Sequence, residues 1–263
     1  MSIFKRVYEL LRLHFNLPKT IFFNIVVFGI KGACRLPIFL YGNVQLEGLY
    51  RGCIELQCPR TGGVRIGGGS FTDMYGYSKR EKSFIRIKGK LIVGSGIIMQ
   101  QGIVLSICHN ATIRIGNNVF FNERVTIHSK DSISIGDKCR FGWNTQILDS
   151  GFHYMINKGK LAYRNAPVVL EHNVWVANGV SIMKGTYLPA YTVVASNSLV
   201  NKNFREIGEH CLIGGIPAKY ITNGVERLLI RDSEVDKLFR NPDEILMYDA
   251  VENELEKASY QKL

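Results

Sequence analysis

The stretch from Val174 to Val200 carries an aliphatic residue at every sixth position. These first places of each hexad are held by Val176, Ile182, Leu188, Val194 and Val200. The fifth places hold small or compact residues, namely Val180, Thr186, Thr192 and Ser198. Side chains on a strand alternate between faces, so the first and fifth places of a flat six-residue rung can point the same way. A period of six fits neither an α-helix nor simple alternation. It predicts a repeat architecture whose rungs stack on one continuous core.

The same template extends towards the N-terminus as pairs of an aliphatic residue and glycine. Val93-Gly94, Ile115-Gly116 and Ile135-Gly136 are separated by 22 and 20 residues, which is close to three hexads. Three hexads per turn close a triangular coil of parallel strands, and no helical crossover fits between them. We therefore predict a mainly β chain that winds as a parallel β-helix of hexapeptide rungs.

Two long segments interrupt the repeat. One is the loop over residues 71–82, and the other runs from Asp149 to Pro167 and is polar, aromatic and basic. A long excursion from a regular solenoid is more often functional than accidental. These two loops are therefore expected to determine what the protein binds.

The flanks of the repeat predict two helical additions. The expected organisation is an N-terminal helical and apolar cap over 1–43, a β-helix over 44–222 with the protruding loop 149–167, and a C-terminal helical extension over 223–263. In the cap, apolar residues at helical spacing over 2–15 predict a helix that ends at Leu17-Pro18. The C-terminal helices are expected to break near Pro242 and to pack on the flank of the solenoid or on its C-terminal end.

The apolar and aromatic stretch from Pro18 to Tyr41 has two interpretations. The first is a cover for the open end of the stacked core, which is the interpretation we favour. The second is a surface patch that makes weak, reversible contact with a membrane. The run from Ile21 to Ile30 is shorter than the about 20 residues that span a bilayer. Since it also lacks a cleavage site of small residues, we predict neither a transmembrane helix nor a signal peptide.

The net charge restricts the kinds of ligand that the protein can bind, and the cysteines restrict its cellular compartment. The net charge of +11 suits a phosphorylated ligand, an anionic membrane surface or nucleic acid. Nucleic acid is the least favoured, because no basic stretch has interleaved aromatic residues of the RNA-binding kind. The six cysteines contain no CxxC pair and no metal-ligand spacing. Their scatter among apolar rungs indicates reduced, buried thiols in a cytoplasmic protein, which could lie at the inner face of the membrane.

The hexads, a histidine in the long loop and the closing sequence Gly214-Gly215-Ile216-Pro217-Ala218-Lys219 resemble the left-handed β-helix acyltransferases of the hexapeptide-repeat superfamily. Within it, the chain most resembles the sugar O-acetyltransferases of the maltose and galactoside type and their relatives in surface-polysaccharide clusters. The resemblance covers roughly residues 60–222. It implies left-handed winding, a homotrimer with active sites between neighbouring copies, and acetyl-CoA bound in the crevice without a metal.

His153 and Asn122 are the expected catalytic residues. Transfer of an acetyl group needs a base that takes a proton from a sugar hydroxyl, and imidazole titrates near working pH. His153 lies in the longer of the two breaks of the ladder, the loop 149–167. Many relatives have a second acid where Gly151 stands, so that a backbone carbonyl or Asp149 would have to orient the ring. Asn122 matches the family residue that holds the acceptor near the base, where its amide could donate to the developing oxyanion.

The expected ligand contacts fall into two groups. Asp149, Trp175 and His128 are assigned to the acceptor, and His128 is also the second candidate for the base, since alternation points it outward. By resemblance, the contacts to acetyl-CoA are Asn178, Ser196, Asn201, Lys202, Pro217 and Lys219. Backbone amides suit the pantetheine arm and lysines suit the phosphates.

These residues predict an acetyl-CoA-dependent O-acetyltransferase that acts on a sugar or surface-polysaccharide intermediate by direct transfer. No nucleophile elbow or Cys–His pairing supports a covalent acyl-enzyme. N-acetylation of an amino-sugar is the alternative enzyme activity, and a non-catalytic β-helix scaffold is the alternative of another class. A zinc-dependent site would need three converging histidines, and the positions of His128, His153 and His172 do not match that pattern.

Overall fold

A computed structural model describes residues 14–68 and 81–228, and the account below concerns these residues. One compact unit ends at Glu226, and a second begins at Arg227. In the first unit, three parallel sheets each take every third strand, so that each turn of the chain places one strand in each sheet. The predicted mainly β fold, a parallel β-helix of hexapeptide rungs, is confirmed.

The sheets are named in the order in which the chain visits them. The first sheet has nine strands, of which all but the last pair are parallel: β1 (Ile38–Leu40), β4 (Val64–Ile66), β7 (Ile97–Met99), β10 (Phe120–Phe121), β13 (Arg140–Phe141), β18 (Trp175–Val176), β21 (Val193–Val194), β23 (Cys211–Gly215) and β24 (Ala218–Asn223). The second sheet has seven: β2 (Asn43–Glu47), β5 (Lys82–Ile87), β8 (Val104–Ile107), β11 (Thr126–Ser129), β14 (Gln146–Leu148), β19 (Ser181–Ile182) and β22 (Leu199–Val200). The third has six: β3 (Ile54–Leu56), β6 (Lys90–Val93), β9 (Thr112–Ile115), β12 (Ser132–Ile135), β17 (Val168–Leu170) and β20 (Tyr187–Leu188).

The hexad pattern corresponds directly to burial. All five aliphatic first places between Val176 and Val200 are fully buried, and the compact fifth places, from Val180 to Ser198, are buried as well. In the first sheet, register aligns one inward column across successive coils, namely Met99, Phe121, Phe141, Val176, Val194 and Ile213. Within it the rings of Phe121 and Phe141 stack with centroids 4.8 Å apart. Removal of these side chains from water stabilises each coil against its neighbours.

The glycine that follows each aliphatic residue is required by the approach of the next coil. A Cβ added to Gly136 would lie 2.6 Å from both the carbonyl carbon of Glu171 and the amide nitrogen of His172. Both atoms belong to backbone, which cannot move away without breaking the ladder. The aliphatic-glycine pair therefore marks places where coils stack backbone to backbone.

An α-helix, α1 (Leu17–Ala33), covers the N-terminal end of the stack. Asn16 caps it by accepting a hydrogen bond from Lys19 N at 3.1 Å. Pro18 therefore stands in the first turn of this helix, where its missing N–H costs nothing. Phe23 and Val27 join the core, as a cover for this end of the stack requires. The helix predicted over 2–15 lies almost wholly outside the described residues.

The other face of α1 is exposed, including Ile21, Phe22, Ile25 and Ile30. In the described part of the chain, no helix combines the length and the apolar character that crossing a membrane requires. Contact between this face and a membrane surface stays a prediction.

The long loop after β14 forms an exposed antiparallel hairpin of β15 (Met155–Asn157) and β16 (Lys160–Ala162). A 3-10 helix (Arg205–Ile207) precedes β23. The turn between β23 and β24 contains the cis peptide Ile216–Pro217. Residues 224–228 carry no helix, and the remaining helices predicted for the C-terminus lie outside the described residues, as does the loop 71–82 up to residue 80.

Candidate active site

The chain turns three corners in each coil, and two of these corners carry the predicted site. Edge 1–2 is the corner between the first and second sheets, and it includes Asn122, Asn178 and Ser196. Edge 2–3 is the corner between the second and third sheets, and it includes the loop 149–167 and Lys202. Edge 3–1 closes the triangle. The predicted residues are therefore stacked in columns along the solenoid axis.

Edge 1–2 presents a hydrogen-bonded ladder over successive coils. The hydroxyl of Ser196 donates to Asn178 Oδ1 at 2.9 Å, and the amide nitrogen of Asn197 donates to the carbonyl oxygen of Asn178 at 3.0 Å. One coil further, Gly215 N donates to Ser198 Oγ at 3.0 Å. The turn with Pro217 follows, and Lys219 pairs with Gly214 across β23 and β24. This edge thus brings together Asn178, Ser196 and the closing turn.

Asn122 stands on the same edge, two coils before Asn178. It follows β10 directly, and its backbone nitrogen donates to Phe141 O at 3.0 Å, which leaves its half-buried side chain at the corner. Trp175 lies on the outward face of the first sheet with 38% of its surface exposed. Both side chains therefore border one surface that includes the ladder.

His153 is exposed on edge 2–3, near the base of the hairpin loop. The loop is closed at its base by Gly151 N, which donates to Arg164 O at 2.7 Å, and by Ala166 N, which donates to Asp149 O at 2.9 Å. Lys184, from the next coil, donates from Nζ to Tyr163 O at 2.5 Å. The backbone nitrogen of His153 itself donates to Gly151 O at 2.7 Å. These contacts fix where the imidazole leaves the solenoid.

Asp149 anchors this base from inside. Its carboxylate is fully buried and accepts three hydrogen bonds, from Ser129 Oγ at 2.6 Å, Lys130 N at 2.8 Å and Asp131 N at 2.9 Å. A carboxylate buried in this way does not meet an acceptor molecule. The expected acceptor contact of Asp149 therefore does not agree with its burial, and the residue supports the loop instead.

Phe152 links the loop to the second sheet, a contact that sequence reasoning missed. Its ring lies 5.1 Å from that of His128 on β11, and Lys130 Nζ lies 5.0 Å from its centroid. The sequence signal that could have predicted this contact is the position of Phe152 immediately before His153 in an aromatic loop. His128 does point outward, as alternation predicts, and lies beside the loop that carries His153.

The environment of His128 lowers its pKa below the ordinary value, because burial and, next, the positive charge of Lys130 disfavour the imidazolium. Asp149 opposes this shift, and Arg86 adds to it. We expect NMR titration of the ring to give a pKa below about 6.5. Lys130→Gln removes a nearby cation and should raise that pKa, whereas Lys138→Gln, at edge 3–1, should leave it unchanged. Equal titration of His128 in all three proteins would contradict this explanation.

Asn201 and Lys202 are not on the ladder. Both are exposed and follow β22, so they lie on edge 2–3 with the loop. In a single chain the residues assigned to acetyl-CoA are therefore divided between the two edges that flank the second sheet, and His153 lies on the edge opposite Asn122. Among the described residues, no group of three or more His, Cys, Asp or Glu side chains is arranged to hold a metal ion.

Comparisons with known proteins point to sugar acetyltransferases. No protein-family model matches the chain. It is 27% identical over 148 residues to a putative lipopolysaccharide biosynthesis O-acetyltransferase of Escherichia coli, which covers 52% of this chain and 74% of that protein. It is also 27% identical over 108 residues to the galactoside O-acetyltransferase of Lactococcus lactis, covering 38% of this chain and 51% of that protein.

Among solved structures, the polysialic acid O-acetyltransferase OatWY is 21% identical, with 76% of this chain and 91% of that chain covered and a TM-score of 0.46. The relatives are named acetyltransferases, and the resemblance inferred from the sequence is confirmed.

Proposed function

From the premise that this chain is a relative of the hexapeptide-repeat acyltransferases, we propose that it transfers an acetyl group from acetyl-CoA to a hydroxyl of a sugar or glycan. The observation that carries the proposal is the pairing of two features on one solenoid. A firmly anchored loop presents an exposed imidazole on edge 2–3, and a ladder of small polar residues follows edge 1–2. Each feature alone is half of a transferase site.

Acetyl-CoA would lie along the ladder of edge 1–2. The amide of Asn178, the hydroxyl of Ser196 and the backbone around Gly214 offer small polar groups at successive coils, which suits the amide-bearing pantetheine arm. The exposed ammonium groups of Lys219 and Lys202 would meet the phosphates. Lys202 stands on the other edge, so that this contact would come from a neighbouring copy.

A homotrimer with the second sheet towards its axis would complete the site. Threefold rotation brings edge 2–3 of one copy against edge 1–2 of the next, so that one heterologous contact is repeated until the ring closes. Of the two outward columns of the second sheet, one supports this packing because its aligned residues are uncharged: Phe84, Val104, Thr126, Gln146, Ser181 and Leu199. Such a column can approach its copies without burying like charges.

In this arrangement His153 would remove the proton of the acceptor hydroxyl as its oxygen attacks the thioester carbonyl. Asn122 of the neighbouring copy would donate from its amide to the oxyanion, and collapse of the tetrahedral intermediate would expel the CoA thiolate, which takes the proton back from the imidazolium. Placing thioester and hydroxyl side by side supplies much of the acceleration. His128 and Trp175 would line the acceptor side.

The test is release of CoA thiol from acetyl-CoA in the presence of neutral sugars, amino-sugars, nucleotide-sugars and lipid-linked glycans. We expect acceptor-dependent release and a product whose acetyl group is removed by mild alkali, as an ester is. An alkali-stable product on an amino-sugar would replace O-transfer by N-transfer. Thiol release no faster than hydrolysis with every acceptor would overturn the proposal.

A further inference from the structure

A cavity of about 480 Å³ opens on the outward face of the first sheet, next to edge 3–1. This volume lies in the range of small-ligand sites. Three of the residues that line this cavity are arginines, namely Arg60, Arg65 and Arg140. No lining residue is acidic. The cavity is separate from the loop and from the ladder of edge 1–2.

Gly96 determines where Arg60 can lie at this cavity. A Cβ added to Gly96 would clash with Asn118 Oδ1 and lie 3.1 Å from Arg60 Nη2, and both of these residues line the cavity. A side chain at this position would displace the guanidinium, so the position of Arg60 depends on its absence.

The three guanidinium groups are held differently. Arg140 is half-buried, and its Nη1 donates to the backbone oxygens of Asn118 and Cys139. Arg65 points outward from β4, and Arg60 precedes β4 on edge 3–1; both are exposed. Neither Arg60 nor Arg65 forms an ion pair within the described ranges 14–68 and 81–228. Three cations around one cavity repel one another unless an anion lies between them.

An aromatic ring stands among these cations. Phe120 lines the cavity, and the guanidinium carbon of Arg140 lies 5.9 Å from its centroid. Arginines bind carboxylate or phosphate in a bidentate manner, while an aromatic face packs on the apolar face of a sugar ring. The combination suits a charged sugar better than a free inorganic ion.

The cavity adjoins the residues assigned to the acceptor. Phe120 precedes Asn122 by two positions, and Arg140 is aligned with Trp175 on the neighbouring strand. A glycan that reaches Asn122 and Trp175 would therefore extend over this part of the first sheet.

We propose that this cavity is an anion-binding subsite that holds a carboxylate or phosphate of the sugar acceptor, with Arg60 and Arg65 as the principal contacts. The inference rests on the proposed acetyl transfer only in assigning the anion to the acceptor. Anion binding itself needs neither acetyl-CoA nor His153.

The experiment measures binding of glucuronate, glucose 1-phosphate and methyl glucoside to the full chain by calorimetry or ligand NMR, at low salt and without acetyl-CoA. We expect at least one anionic sugar to bind about tenfold or more tightly than methyl glucoside, because a charge-assisted contact contributes this much. Whichever anion binds more tightly identifies the group. The double variant Arg60→Gln/Arg65→Gln should abolish the difference, while Arg114→Gln, an exposed arginine on the third sheet, should preserve it.

Equal binding of all three sugars, or an unchanged preference in the double variant, would overturn the subsite. Acetyl transfer to an anionic acceptor that the double variant performs with the wild-type rate and KM would do the same while leaving the proposed function intact. Anion binding without any acetyl transfer would instead leave the subsite and remove its assignment to an acetyl acceptor.

Discussion

His153→Ala is expected to lower acetyl transfer by about 10²- to 10⁴-fold, the range that a positioned general base contributes. The loss should fall mainly on kcat, because the proposed role of the imidazole is to take up the proton in the transition state, and the ladder proposed for acetyl-CoA lies on another edge. The measurement is CoA thiol release under saturating acetyl-CoA, with binding of CoA determined separately. His109→Ala, an exposed histidine on the same edge 2–3, should keep wild-type turnover.

Turnover of the His153 variant near the wild-type rate would remove this residue as the base and leave His128 as the candidate. Loss of CoA binding in the same variant would show instead that the loop supports the co-substrate.

Mixing two inactive variants tests whether each site is shared between copies. Asn122 and His153 lie on opposite edges of the second sheet, so a chain with His153→Ala still offers an intact edge 1–2, and a chain with Asn122→Ala an intact loop. Random co-assembly at equal amounts would restore about one quarter of the sites in a closed ring. No recovery at all would mean that both residues act within one chain.

Asp149→Ala is expected to destabilise the fold by about 3 kcal/mol or more, since it leaves a buried hydroxyl and two backbone N–H groups without their acceptor. Urea unfolding monitored by circular dichroism measures this free energy. The matched control is Asp131→Ala, which keeps the Asp131 N–H that Asp149 binds and should change stability by less than about 0.5 kcal/mol.

Asp149→Asn retains one acceptor oxygen and should fall between the two. Unfolding midpoints that do not separate Asp149→Ala from Asp131→Ala would contradict the anchoring role.

The parts predicted from the sequence are those that depend on local periodicity. Burial at Val176, Ile182 and Val194 follows from the hexad itself, because each rung repeats the same packing. At Pro18 the sequence pattern shows a helix boundary, and the capping side chain of Asn16 shows that a helix begins there. Local periodicity is therefore enough to predict the coil, whereas the start of a helix depends on a single capping residue.

The arrangement of the site was less accessible. The sequence places Asn178 and Lys202 within a few rungs of each other, yet the intervening corner sends them to different edges. Arg60, Arg65 and Arg140 meet at one cavity because successive coils stack, and separations of up to 80 residues along the chain conceal this. Whether two side chains share a cleft depends on the corner of the coil at which each of them lies. A sequence motif does not show at which corner a residue lies.

Stacked coils also make the solenoid a ruler. Neighbouring strands are about 4.8 Å apart, so the four steps from the coil of Asn122 to that of Gly215 span about 19 Å. An extended molecule bound along this edge would meet equivalent polar groups at intervals of one coil. Insertion or deletion of a complete coil would change the distance between the positions proposed for the reacting carbon and the phosphates by one such increment, and would alter packing only in the coils that flank the change. The number of coils thus limits the length of the acyl donor that can lie along this edge.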